Sequence, residues 1–162
     1  MKPTAPSDFR PISVLPVVNK IVERCLVSQL TEYFETNKLL YEHQFGYRRK
    51  RSTAHMVYKT SERIREALDG NRVCGALLID MSKAFDSVRK EILLAKFSAY
   101  GVSHEAIRLL DSYLSDRSQA VRVGNSESPL RNVRLGIPQG SQCGPLGFLI
   151  VINDTGQQDF AS

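Results

Sequence analysis

Cysteine is scarce in these 162 residues, and the three present, Cys25, Cys74 and Cys143, lie far apart with no paired spacing. That excludes a disulfide framework and a cysteine-based zinc site, and it fits a reducing compartment. His43, His55 and His104 are equally scattered, none with a second histidine or cysteine at ligand spacing. Long apolar runs are missing too: the longest near the C-terminus, Leu146 to Ile152, is far below the ~20 residues a bilayer requires. The N-terminus is polar and holds Pro3 and Pro6, which is not the pattern of a signal peptide. The expectation is an intracellular protein of the nucleus or cytoplasm, without a membrane partner. No internal repeat or low-complexity tract is present.

What is there suits one domain of ordinary size. A hydrophobic content of 42% is enough for a core. Lys and Arg outnumber Asp and Glu by 22 to 17, giving +5 and a pI near 9.2. A basic balance of this kind points to an anionic partner, nucleic acid before others. No specific protein partner is indicated.

The chain opens with a loop over Met1 to Asp8 and an extended segment at Phe9 to Ser13, because proline turns its predecessor away from helix. Pro16 then opens a helix from Val17 to Phe34, its apolar stripe formed by Val18, Ile21, Val22, Cys25, Leu26, Leu30, Tyr33 and Phe34. Lys20, Glu23, Arg24 and Glu32 fall off that stripe. A second helix starts from the cap Ser52-Thr53 and runs to about Leu68, with Met56, Val57, Ile64 and Leu68 on its apolar side. Asp69-Gly70-Asn71 ends it.

The apolar run Val73 to Ile79 is too brief for an ordinary helix and reads as a strand buried on both faces, with Asp80 at its C-terminal edge. Two short helices, Arg89 to Tyr100 and His104 to Leu114, are expected behind it, Gly101 stopping the first. From Gln119 the period changes to two, which indicates a hairpin to Leu135 around Gly124-Asn125-Ser126. A last helix covers roughly Cys143 to Asn153. The order defines an α+β plan, helices packed on a small antiparallel sheet, and not a doubly wound one.

Three stretches carry candidate chemistry. Arg48-Arg49-Lys50-Arg51 abuts a helix N-terminus, and four like charges there suit phosphate, although such a run also serves as a solvated face or an import signal. Asp80, at a strand end, is placed as sheet enzymes place carboxylates, and equally as a cap for the next helix. Gly136-Ile137-Pro138-Gln139-Gly140-Ser141 sets two glycines around an amide able to donate and accept, which suits close approach to a ligand or a plain turn.

Together these pieces resemble the reverse transcriptase domain of non-LTR retrotransposons. The resemblance is carried by FRPISVLP at Phe9 to Pro16, QFGYRRKRST at Gln44 to Thr53 and LLIDMSKAFDSV at Leu77 to Val88. YGVS at Tyr100 to Ser103, YLSDRSQAV at Tyr113 to Val121 and GIPQGSQCGPLGFLIVIND at Gly136 to Asp154 complete it. It implies the fingers and part of the palm of a right-hand polymerase: fingers over 1–72, partial palm over 73–154, and an unmatched polar tail over 155–162. It further implies an RNA-directed DNA polymerase acting with magnesium on an RNA template, a DNA primer and deoxynucleotide triphosphates.

By that resemblance Asp80 is the first catalytic carboxylate and a metal ligand. Phe85 is the aromatic beneath the sugar that excludes a 2′-hydroxyl, with core packing as its other use. Arg48 and Arg51 meet the triphosphate or template, Arg49 and Lys50 the nucleic-acid backbone, and Gln139 and Gly140 line the nucleotide. Lys83 and Asp86 have supporting roles.

The family's remaining carboxylates come from an aromatic-x-Asp-Asp turn, and this sequence contains no adjacent Asp-Asp. Asp159 on a polar tail does not replace it, and the thumb is absent as well. The expectation is therefore a truncated fragment, inactive alone, marginally stable and poorly soluble, with an apolar edge at Val73 to Ile79. The alternatives are a non-catalytic module binding RNA or hybrid duplex, or a translated remnant without selected activity. Gln142, Cys143 and Gly147, where the family usually has apolar residues or leucine, are expected to loosen packing under the last helix.

Overall fold

The computed structural model describes residues 12–81 and 83–157. The expected N-terminal loop, Phe9 to Pro11 of the extended segment, and Asp159 lie outside them.

Helix α1 spans Val17–Thr36, with Pro16 supplying the extended residue just ahead of it. α2 spans Thr53–Asp69, and its cap Ser52 accepts from the His55 N–H at 3.3 Å. α3 spans Lys90–Ala99 and α4 His104–Leu114, the latter capped by Ser103 accepting from the Ala106 N–H. Between them Gly101 takes φ +81°, which lets α3 stop and the chain reverse. α5 spans Cys143–Ile152, and Thr155–Gln157 forms a single 3-10 turn.

α5 organises the core. Its sequence, CGPLGFLIVI, is apolar all round, and a helix of that kind has to be surrounded. α1 and α3 pack on it, and α4 packs on α3. Leu26, Leu30 and Phe34 of α1, Leu93 and Phe97 of α3, Leu110 of α4 and Leu146, Leu149 and Ile150 of α5 form one buried cluster with Leu40, Val88 and Ile137. Phe34 is at its centre, with Phe97 and Tyr100 meeting it edge to face at 5.9 and 5.4 Å. Each large side chain so buried contributes about 1.5 to 3 kcal/mol.

The strands are short. β1 (Ser118–Gln119) pairs antiparallel with β4 (Arg131–Asn132), and β2 (Arg122–Val123) with β3 (Ser126–Glu127), Gly124 turning the ribbon at φ +59°. Helices and small antiparallel sheets together make the α+β class expected from the sequence.

Several details differ from expectation. The helices do not pack on the sheet: every residue from Ser118 to Asn132 is exposed, and the helices pack on one another. Alternation fixed the ribbon's pairing, but its side chains are too polar to cover a helix. Val73 to Ile79 is no buried strand. It is extended without a ladder, Val73 fully exposed and Leu77 86% exposed, because no strand among the described residues lies beside it and a strand without a partner leaves its backbone to water.

α1 buries Glu23, Leu26, Leu30 and Phe34, while Val18, Ile21, Val22 and Cys25 stay exposed. α2 buries none of its residues, including the expected stripe Met56, Val57, Ile64 and Leu68. At Gly147 the packing is close. A Cβ on Gly147 would come within 2.5 Å of Ile137 Cδ1 and 3.2 Å of Leu93, so the glycine is what lets α5 approach its neighbours so closely. Among the described residues no helix is long and apolar enough to cross a membrane.

Candidate nucleotide and nucleic-acid site

Two of the chemistry-bearing stretches are laced together. The Gly136 N–H donates to the Val88 carbonyl at 2.8 Å and the Ile137 N–H to that of Phe85 at 3.0 Å. Gly136 has φ +90°, and a Cβ there would be 2.9 Å from Asp86 Cα, so glycine is required for this crossing. Three residues on, the Ser13 N–H donates to the Gln139 carbonyl at 2.8 Å, and Gly140 at φ +91° faces Ile12 and Ser13. Three of the sequence motifs, ending at Pro16, Val88 and Ser141, thus meet at one place, and Phe85, Gln139 and Gly140 belong to it.

Phe85 is half-buried in an aromatic group, 5.3 Å from the Phe148 ring and 6.2 Å from that of Tyr47. Gln139 is half-buried and Gly140 exposed. Behind the loop, Ser141 Oγ accepts from the Gly144 N–H at 3.0 Å and steadies the start of α5.

That start is also tied to α1 by a residue whose charge placed it off the expected apolar stripe. Glu23 is 1% exposed. Its Oε2 accepts from the Gln142 N–H at 2.8 Å, and its Oε1 accepts from the Tyr113 hydroxyl of α4. Burial, with the Glu23 hydrogen bond adding, pushes the Tyr113 hydroxyl above its ordinary range; burial beside Glu23 pushes the Cys143 thiol up to about 12. The signal was present in the spacing: 23, 26, 30 and 34 share a helical face. Asn153, also 1% exposed, is a second such residue. It accepts from the Tyr41 N–H at 2.7 Å and donates to the Leu39 carbonyl and the Tyr100 hydroxyl at 2.8 and 2.7 Å.

The basic run divides. Arg48 turns inward: Nε and Nη2 donate to the two Glu35 carboxylate oxygens at 3.0 and 2.5 Å, and Nη1 to the Tyr41 carbonyl at 2.9 Å. Three of its five N–H donors are thus engaged within the protein. Arg49 and Lys50 are exposed. Arg51 donates to the Glu42 carbonyl and stands over the Phe45 ring at 5.4 Å.

Asp80 is exposed on the extended segment, and Lys83 and Asp86 are exposed in the turn beyond it. Among the described residues no three His, Cys, Asp or Glu side chains are grouped to hold a metal. Asp80 alone does not make a metal centre, because a hard cation takes several oxygen ligands. A cavity of about 410 Å³ between α3, the end of α4 and the ribbon is lined by Lys90, Arg117 and Arg134 but also by Glu91 and Asp116; Lys90 is matched by Asp111 at 2.8 Å. Its charges balance.

The Gly-x-Pro-Gln-Gly turn, joined by backbone hydrogen bonds to Ser13, Phe85 and Val88, leads into the apolar helix α5 of an α+β chain. The family described as reverse transcriptase (RNA-dependent DNA polymerase) matches residues 1–158, and the chain belongs to it. It is 39% identical over 156 residues to a probable RNA-directed DNA polymerase from transposon BS of Drosophila melanogaster, and 35% over 154 to that from transposon X-element of the same fly. With the RNA-directed DNA polymerase from mobile element jockey of Drosophila funebris the identity is 27% over 158 residues. These matches cover 93, 95 and 98% of this chain but only 16, 17 and 17% of the relatives. The non-LTR reverse transcriptase resemblance is thereby established, for a chain that spans about a sixth of the relatives' length.

Proposed function

We propose that this chain is the fingers and part of the palm of an RNA-directed DNA polymerase, with residues 1–72 as fingers, 73–154 as palm and 155–162 as a polar extension. Its ligands are an RNA template, a DNA primer and deoxynucleotide triphosphates. The observation that carries the reading is the junction at which Ser13, Phe85 and Gly136 to Gly140 are joined by backbone hydrogen bonds. In it Phe85 sits beneath the sugar and Gln139 and Gly140 beside the base and template, while Arg49, Lys50 and Arg51 hold phosphates.

Asp80 serves as one of the carboxylates a magnesium ion needs in such an enzyme. With no adjacent Asp-Asp in the sequence and no carboxylate group assembled around Asp80 among the described residues, the 162-residue chain binds primer–template without extending it. The test is primer extension on an RNA template with magnesium and all four deoxynucleotides, alongside binding of the same labelled hybrid at low salt. Binding without extension is expected. Robust extension overturns the inactivity, and absence of salt-dependent binding overturns the assignment.

A further inference from the structure

The segment from Glu42 to Glu66 carries seven Lys and Arg against three Glu, and so accounts for most of the chain's charge of +5. The structure sets two of these cations over one ring. Arg51, from the loop before α2, lies 5.4 Å from the Phe45 centroid, and Lys59, in the second turn of α2, lies 6.0 Å from it. One turn further along α2, Arg63 Nη2 is 3.5 Å from His43 Nε2, and the His43 ring is set edge-on to Tyr41 at 5.4 Å. Residues 59 and 63 are four apart and share a face, whereas Arg65 points elsewhere and pairs with Glu62 at 3.0 Å.

Among the described residues the ion pairs take up Arg48 and Arg65 but none of Arg49, Lys50, Arg51, Lys59 or Arg63. Arg51 and Lys59 on one ring, neither in an ion pair among the described residues, raise one another's energy, and an anion relieves that. α2 buries none of its residues, so this arrangement is not a by-product of core packing.

We infer that Lys59 and Arg63 of α2, with Arg51 and the Phe45 ring, form a second row of contacts for the phosphodiester backbone of a nucleic-acid strand, beyond the loop at Arg49 to Arg51. The inference rests on the polymerase reading and deepens it. Phe45 and His43 position the cations. It recognises the backbone and carries no base specificity.

The test uses the whole chain with fluorescent single-stranded RNA and with an RNA–DNA hybrid of equal length, titrated from low salt to 0.3 M. Lys59→Ala with Arg63→Ala removes two contacts, and each phosphate contact contributes about 0.7 to 0.9 to the slope of log affinity against log salt. The double variant should bind at least one of the two ligands about tenfold more weakly at 0.1 M salt, with a slope shallower by about 1.4 to 1.8. Arg65→Ala with Arg108→Ala removes equal charge from other surfaces and should leave the slope nearly unchanged. Lys59→Arg with Arg63→Lys keeps the charges and should bind as the parent, and far-ultraviolet circular dichroism verifies that each variant is folded. If the parent binds and Arg49→Ala with Lys50→Ala weakens it while the Lys59/Arg63 variant matches the parent on both ligands, this inference is wrong and the polymerase reading stands. If the parent binds neither ligand, both fall together.

Discussion

Arg48 and Glu35 face each other as a fork on a carboxylate, two parallel N–H···O bonds linking the loop before α2 to the last turn of α1. The Arg48 side chain is 8% exposed, and its third donor is spent on the Tyr41 carbonyl. A cation in a run of four was drawn out of the solvated set by a partner thirteen residues upstream.

Arg48→Ala should therefore act on stability more than on nucleic-acid binding. It strands a partly screened carboxylate and a carbonyl, at a cost of about 1 to 3 kcal/mol. The hydrogen bond from Arg48, aided by the charges of Arg48, Arg51 and Arg49, holds the Glu35 carboxyl below its ordinary 4.5. A carboxyl lowered on folding stabilises fully above its unfolded value and loses that contribution as pH falls through the folded one. Urea midpoints measured from pH 6 down to pH 3 should show a loss that begins near pH 4.5 and is smaller in Glu35→Gln.

Glu23→Ala removes the acceptor for the Gln142 N–H and the Tyr113 hydroxyl, both part-buried contacts. The expected cost is about 2 to 4 kcal/mol, against about 1 for Tyr113→Phe, where the Gln142 N–H keeps its acceptor in Glu23 Oε2. Urea denaturation of the two variants separates them, and equal small effects would show that Glu23 is not the tie between α1, α4 and α5.

Gly136→Ala places a Cβ 2.9 Å from Asp86 Cα at a positive φ. Backbone strain and overlap together should destabilise by about 2 to 5 kcal/mol. Gly124→Ala also meets a positive φ, but with no atom within 4 Å, and should cost only the strain. Comparing their thermal midpoints tests the junction directly.

Cys143 is buried with its thiol pushed up to about 12, whereas Cys25 and Cys74 are exposed. At pH 8 a disulfide reagent should titrate two thiols quickly and the third only on unfolding. Three fast thiols would mean that α5 is not enclosed as described.

Helices were legible in the sequence because capping and period are local: Pro16, Ser52 and Gly101 mark their ends where the structure has them. The charge of Glu23 hides its place on the face shared by Leu26, Leu30 and Phe34. Val73 to Ile79 differs for the opposite reason. Its composition states what the side chains favour, but a strand exists only with a neighbour, which no local pattern supplies. The Arg48–Glu35 and Lys59–Phe45 contacts depend on how loops and helices are set in space, which no local pattern encodes.

α2 is a helix that the core does not hold. At 17 residues it is only a little longer than the shortest helices that persist alone in water, so its hydrogen bonds open on a local, inexpensive scale while those of α5 open only with the whole molecule. Its amides should exchange with solvent deuterium long before those of Leu149 and Ile150. A bound strand lying across Lys59 and Arg63 would then be recorded as slowed exchange in a helix that buries none of its own residues, making α2 the part of this chain in which occupancy and order are the same measurement.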